Sequence, residues 1–131
     1  MSTIFSKILS GEIPCYKIAE NEHFLAFLDV SPVSKGHTLV IPKQETDYIF
    51  DLNDKDLADL HIFAKRIAIA LKQAVPCKKI GMAVVGLEVP HAHIHLIPMN
   101  HIGDLSFTSE RLKLSPDEFV SIAKNISSNF S

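Results

Sequence analysis

The segment His91-Ala92-His93-Ile94-His95 carries three imidazoles at every second position, with apolar residues between them. On an extended strand alternate side chains point the same way, so the three rings share one face. Ala92, Ile94 and Leu96 then face the other way, into a core, while Ile97 continues the histidine side. Successive ring-bearing Cα atoms lie roughly 6.6 Å apart on such a strand. Two full imidazolium charges at about that distance repel by roughly 2.5 kcal/mol at an effective dielectric of 20, which is nearly two pKa units. Near neutral pH the cluster is therefore expected to hold one proton and share it. A neutral ring can act as nucleophile while a neighbour donates toward a leaving group. A phosphorus centre suits this arrangement, because the same donors stabilise charge growing on its oxygens. Burying three such rings without partners would cost several kcal/mol, so a purely structural role is the weaker reading.

Several elements must position these rings. Residues 91–97 are expected to form a strand ended by Pro98. Residues 37–41 alternate with period two, which puts His37, Leu39 and Ile41 on one face, and Pro42 closes that strand. Residues 15–19 and 24–29 read as a hairpin around Asn21-Glu22, and residues 80–85 as a further strand before a turn at Gly86-Leu87. Residues 3–9 read as a short helix, with Gly11 just past its end. A long helix is predicted over 54–74, capped by Asn53, with Leu57, Leu60, Ala64, Ile67, Leu71 and Ala74 in a stripe at three- and four-residue spacing. Residues 46–50 fit a single helical turn. Ser115-Pro116-Asp117-Glu118 is a start signal for a last helix to about residue 126. Hairpin-paired strands interrupted by one long helix predict an antiparallel α+β fold in a single domain spanning 1–131.

At 131 residues the chain can bury a core without metal or disulfide staples, and 47% apolar with 21% charged residues is ordinary for a globular protein. A formal charge of −2 gives no long-range attraction to nucleic acid or anionic membrane. Cys15 and Cys77 are far apart and outside any C-x-x-C, so both are expected to be free thiols of a reducing compartment. No signal peptide and no membrane-length apolar run is visible, and the expected setting is cytoplasmic. His23, His61 and His101 carry no pattern and read as surface residues.

Residues 91–97 fit His-φ-His-φ-His-φ-φ, with φ apolar, and the sequence here resembles the histidine-triad (HIT) family. The stretches Ile4-Phe5, Gly11-Glu12-Ile13-Pro14, Leu25 to Pro32 and Gly36 to Lys43 look like its Hint branch, so the resemblance covers about 3–100. It implies a homodimer, each subunit contributing about five antiparallel strands, with the long helix at the interface. It also implies cleavage of purine nucleotides at the α-phosphorus with release of a nucleoside monophosphate. His93 would be the nucleophile and form a nucleotidyl-histidine. His95 would contact the phosphate or leaving group, and His91 and His37 would orient the cluster. Asp29 matches the carboxylate that holds the ribose hydroxyls, and Phe5, Ile8, Phe27, Val30 and Leu39 match positions that enclose the base. Read without the resemblance, Asp29 also fits a turn-former before Ser31-Pro32, the weaker of its two readings, and Phe5, Phe27 and Leu39 are equally core.

The sequence departs from the family pattern in three places. Many Hint-like proteins hold a structural zinc through Cys-x-x-Cys, a histidine after Ile-Pro-Lys and the first motif histidine. Here Thr3, Ser6 and Glu45 stand at the first three positions, so no zinc and no other cofactor is expected. The loop Val85-Gly86-Leu87-Glu88-Val89-Pro90 is short and lacks the family's Asn, and Glu88 stands where a serine reaches the leaving group. An anion beside a phosphate is unfavourable and is expected either to alter substrate preference or rate, or to favour an amine leaving group by attracting its positive charge. Residues from about 102 to 131 form an extension with no counterpart in the shorter members, placed to cover the site or strengthen the dimer. Two rival readings remain at the level of sequence: a nucleotide-binding protein with little catalysis, and a histidine-ligated metal protein, the latter weakened by the lack of an obvious carboxylate to complete the set.

Overall fold

Three strands in which nearly every residue is buried form the middle of the molecule, and burial on both faces requires cover on both faces. The computed structural model describes residues 3–131. Its strands are β1 (Lys17–Glu20), β2 (Phe24–Leu28), β3 (Thr38–Pro42), β4 (Lys79–Ala83) and β5 (Ile94–Met99). They pair antiparallel throughout, in the order β1-β2-β3-β5-β4. This is the expected α+β arrangement.

The cover on one face comes from α2 (Asp54–Ala74) and α3 (Pro116–Asn129). Asn53 Oδ1 accepts from the Asp56 N–H and starts α2 as expected. Leu60, Ala64, Ile67 and Leu71 of the predicted stripe are fully buried, joined by Phe63 and Ala70, and they pack on Ala26, Leu28, Val40, Ile94 and Leu96. Each such Leu or Ile contributes roughly 1.5–3 kcal/mol, so packing holds this helix more than propensity does. Ser115 and Glu118 close a reciprocal capping box at the start of α3, which runs three residues beyond the expected end. Phe119, Ile122, Ala123 and Ile126 join the same core, and Tyr16 stacks on Phe119 at 4.9 Å.

The other face carries a smaller cluster of Phe5, Leu25, Phe27, Leu39 and Ile41, under α1 (Ile4–Leu9). The histidines lie on this side. Ala92, Ile94 and Leu96 belong to the main core on the opposite face, as alternation requires.

Several boundaries differ from the sequence expectation. The strand expected over 91–97 begins at Ile94, because Val40 opposite Ile94 is the last pair that β3 makes with β5. Pro98 does not end that strand but lies inside it, opposite Ile80. Its carbonyl accepts from Ser34 Oγ on the side where β3 has already stopped, so its missing N–H leaves no ladder bond unmade. His37 sits one residue before β3, and the expected turn over 46–50 is a 3-10 turn at Ile49–Asp51. A second 3-10 turn, Ile102–Asp104, was not expected. His61 is half-buried rather than exposed, with Nδ1 against the Leu57 carbonyl at 2.8 Å. Gly36 has φ +94°, and a Cβ there would meet Val75, Leu71 and Pro98 side chains at 3.0–3.2 Å, so the turn that delivers His37 requires glycine. No helix among the described residues is long and apolar enough to cross a membrane.

Candidate active site

Residues 91–93 lie outside the sheet, with a bend at His91, and find their hydrogen bonds elsewhere. The Ala92 N–H donates to the Thr46 carbonyl at 2.7 Å, and His91 Nε2 reaches the Pro42 carbonyl at 2.8 Å. A carbonyl only accepts, so His91 carries its proton on Nε2. Its ring thus closes the end of β3 in place of a ladder bond. His91 Nδ1 is the one buried side-chain polar atom among the described residues that has no partner.

The same rule fixes the other tautomers. His93 Nδ1 lies 2.7 Å from the His91 carbonyl and must donate to it. The lone pair of His93 is therefore on Nε2. His37 Nδ1 accepts from the Val33 N–H at 3.1 Å, which leaves the proton of His37 on Nε2. That Nε2 faces His95 Nδ1 at 2.9 Å, so His37 donates and His95 accepts. His95 consequently carries its own proton on Nε2 as a donor. The four rings form one patch: centroids of His93 and His95 are 4.8 Å apart, and those of His37 and His95 5.2 Å. Phe5 supports the patch edge-on, 4.9 Å from His93 and 5.8 Å from His91.

All of these rings are buried. Burial pushes His37 down to about 3 and His95 down to about 4, with neighbouring histidines and the Arg111 guanidinium adding to both. Burial also lowers His93, against the opposing effect of its bond to the His91 carbonyl. These three rings are therefore neutral at pH 7. Mutual repulsion, expected from spacing to be the controlling effect, ranks behind desolvation.

Asp29 does two things at once. Its Oδ1 accepts from the Ser31 N–H at 2.8 Å, a turn-forming bond, while Oδ2 lies 3.6 Å from His37 Nε2, too far for a hydrogen bond. Burial raises its pKa, opposed first by the Ser31 N–H and then by Arg111. Asp29, His37 and His95 each offer a ligand atom, all within 4.8 Å of one another, so the fold supplies the carboxylate that the sequence did not reveal. A cation there would have to displace the proton shared by His37 and His95.

The predicted base-enclosing residues divide into two groups. Phe5, Phe27 and Leu39 are buried in the small cluster beneath the histidines. Ile8 is half-buried and Val30 is 62% exposed beside Asp29. Ile4, on the first turn of α1, is 49% exposed and was not singled out; only its exposed apolar character marks it. Glu88 is exposed in the loop before His91, and its charge acts on both Asp29 and His93. The site also contains two residues with no signal in the sequence, Phe107 and Arg111. The Phe107 centroid is 4.6 Å from that of His95, and Arg111 donates to the Ser31 carbonyl at 2.7 Å.

The zinc position of Hint-like proteins does not fit zinc here. Thr3 Oγ1 accepts from the Ser6 N–H and Ser6 Oγ accepts from the Thr3 N–H, a capping box that satisfies the start of α1, and Glu45 is exposed. Two hydroxyls engaged this way are poor replacements for two thiolates.

Residues 10–102 match the model of the HIT domain. The chain belongs to the HIT family. It is similar to adenosine 5′-monophosphoramidase hnt1 of Schizosaccharomyces pombe, 37% identical over 130 residues and 98% of both chains. The extension therefore has a counterpart in that relative. Among solved structures it is similar to a Hit-like protein of Bartonella henselae involved in cell-cycle regulation, with TM-score 0.84, 28% identity and coverage of 98% of this chain and 97% of that one. It is also similar to a zinc-bound histidine-triad protein of Mycobacterium smegmatis, with TM-score 0.83, 30% identity and coverage of 98% and 93%.

Proposed function

We propose that this HIT protein is a nucleotide hydrolase or transferase that cleaves small purine nucleotide conjugates, of AMP or GMP phosphoramidate type, at the α-phosphorus. The observation that carries the reading is the bond from His93 Nδ1 to the His91 carbonyl, which puts a free lone pair on Nε2 of a ring kept neutral by burial. Nε2 attacks phosphorus, and the bond from phosphorus to the leaving nitrogen breaks with its electron pair on that nitrogen, which takes a proton from solvent. The nucleotidyl-imidazolium so formed keeps its Nδ1–H on the His91 carbonyl, which stabilises the positive ring. His95 Nε2–H donates to a phosphoryl oxygen as charge grows there. Water then breaks the Nε2–P bond, releasing the nucleoside monophosphate and a proton and restoring His93.

Asp29 Oδ2 is turned to the site and suits a ribose diol. Val30, Ile8 and Ile4 offer apolar surface for a purine above the floor made by Phe5, Phe27 and Leu39. Glu88, exposed near His93, favours an amine leaving group. The relative's activity on an adenosine 5′-monophosphoramidate agrees with that preference.

We read residues 1–131 as one domain, since α3 of the extension shares the main core. The edge strand β4 has one open ladder side, and Met82 on it and Ile62 and Ile69 on α2 are apolar and exposed, which supports a homodimer through this side. Two unpaired cysteines fit the cytoplasm.

Incubation with adenosine 5′-phosphoramidate tests the assignment: AMP should be released, and His93→Ala should lose at least about 10³-fold in kcat/KM. Full turnover by His93→Ala would refute the mechanism. AMP binding by calorimetry with no turnover of any conjugate would establish the binding-only alternative.

A further inference from the structure

The segment joining the 3-10 turn at Ile102–Asp104 to α3 crosses the histidine patch, although it lies outside the residues matched by the family model. Two bonds hold it there. Arg111 Nη1 donates to the Ser31 carbonyl at 2.7 Å, and the Leu112 N–H donates to the Pro32 carbonyl at 2.8 Å. Both acceptors belong to the loop that carries Asp29. The Arg111 guanidinium lies 5.8 Å from the centre of the Phe107 ring. Phe107 in turn packs edge-on against His95, with centroids 4.6 Å apart and planes at 62°, and against His37, at 6.2 Å and 67°. The one aromatic ring of the segment thus sits over the two imidazoles joined by the His37–His95 hydrogen bond.

We infer that Phe107, locked by Arg111, is a positioning residue for His95: it excludes water from the His37–His95 hydrogen bond and holds the His95 ring so that Nε2–H stays aimed at the phosphoryl group. The inference rests on the assignment of His95 as the phosphoryl donor. Without that cover, water competes for His95 Nδ1 and the ring gains rotational freedom. Phe107 packs on the two imidazoles and on Arg111, so the effect falls on turnover more than on binding. The extension is then a working part of the site rather than an appendage.

The charged and titratable groups around His95 are few. His93 precedes it in the chain, His37 lies before β3, Asp29 follows β2, and Arg111 comes from the crossing segment; Glu88 acts from the loop before His91 on Asp29 and His93. From β4, its register partner is the uncharged Ala83. Removing the Phe107 ring leaves these groups in place and admits solvent, so protonation of His95 and His37 moves up toward the ordinary histidine value near 6.5.

The test compares the full chain with Phe107→Ala, Phe107→Leu and Arg111→Met. With adenosine 5′-phosphoramidate, Phe107→Ala should lose about tenfold in kcat with KM within about twofold, and the midpoint of its His95 ring in an NMR titration should move up by about one pH unit. Phe107→Leu should recover most of both, because it restores the apolar cover. Arg111→Met should move the His95 midpoint the same way, having lost both the cation and the Ser31 bond. An active parent whose Phe107→Ala and Arg111→Met variants keep kcat and the His95 midpoint overturns the inference. If the parent turns over no conjugate, the functional assignment fails by itself. An NMR titration of the His95 ring then decides the present inference: an unchanged midpoint in Phe107→Ala refutes the cover, and a raised one supports it.

Discussion

Replacing His37 with phenylalanine separates the bonding of this residue from its bulk. His37 is fully buried, and a phenyl ring retains the contacts with His95 and Phe107. Two hydrogen bonds are lost: Val33 N–H to Nδ1, and Nε2–H to His95 Nδ1. The buried His95 nitrogen left without a donor costs about 1–3 kcal/mol, while half-buried Val33 is open to water and costs less. A domain of ordinary stability, roughly 5–15 kcal/mol, survives that loss. The functional cost is larger. With no donor at Nδ1, His95 gains by moving its own proton there, toward Asp29, which removes the proton from Nε2. Loss of one aimed donor at a developing oxyanion costs about 10²–10³ in kcat. Turnover of adenosine 5′-phosphoramidate measures the loss, and long-range 15N–1H correlation spectra of the imidazoles report the tautomer directly. His37→Gln, whose amide still offers an N–H, should regain part of the rate. If His37→Phe stays within about threefold of the parent kcat, or His95 keeps its proton on Nε2, the relay deduced from the carbonyl and amide partners is wrong.

Acid should destabilise the fold from the site outward. The unfolded chain takes up histidine protons near pH 6.5, whereas burial holds His37 down to about 3 and His95 down to about 4. Their contribution to stability is complete above about pH 6.5 and is lost as pH falls from there toward those folded values. Asp29, raised by burial, has the opposite sign and gains a little stability at lower pH. Calorimetric melts should show Tm falling steadily from neutral pH toward pH 4.5, with a shallower fall in His37→Phe; a flat profile in the parent would contradict the neutral buried cluster. Sedimentation equilibrium should give twice the mass of one chain, and Ile69→Asp on the exposed face of α2 should shift it to monomer. A parent that sediments as a monomer at tens of micromolar excludes the dimer.

The helices were the most legible part of the sequence, because their signals are local. Asn53 and the stripe from Leu60 to Leu71 specify α2, and Ser115-Pro116 with Glu118 specifies the start of α3. The facing of the histidines was legible too, since alternation survives even where residues 91–93 leave the sheet. The point of leaving was not, because it depends on the Pro42 carbonyl accepting from a ring 49 residues away. Asp29 could be read as turn-former or as ribose-holding carboxylate because Oδ1 closes the turn while Oδ2 lies toward His37. Phe5, Phe27 and Leu39 resembled a binding slot because residues under a site and residues around it have the same apolar character; only burial separates them. Phe107 and Arg111 sit in an irregular polar run without periodicity, and nothing in it indicates that the chain doubles back over the histidines.

The reciprocal hydroxyl bonds at Thr3 and Ser6 bear on the conditions in which this enzyme can work. The first helix carries Phe5, which props two of the imidazoles, so whatever secures that helix also secures the reacting ring. A chain that entrusts this duty to thiolates and a divalent ion ties its competence to the local supply of that ion and to its competitors. Here the fastening is built from the polypeptide itself, and the nucleophile is in position as soon as the backbone has folded.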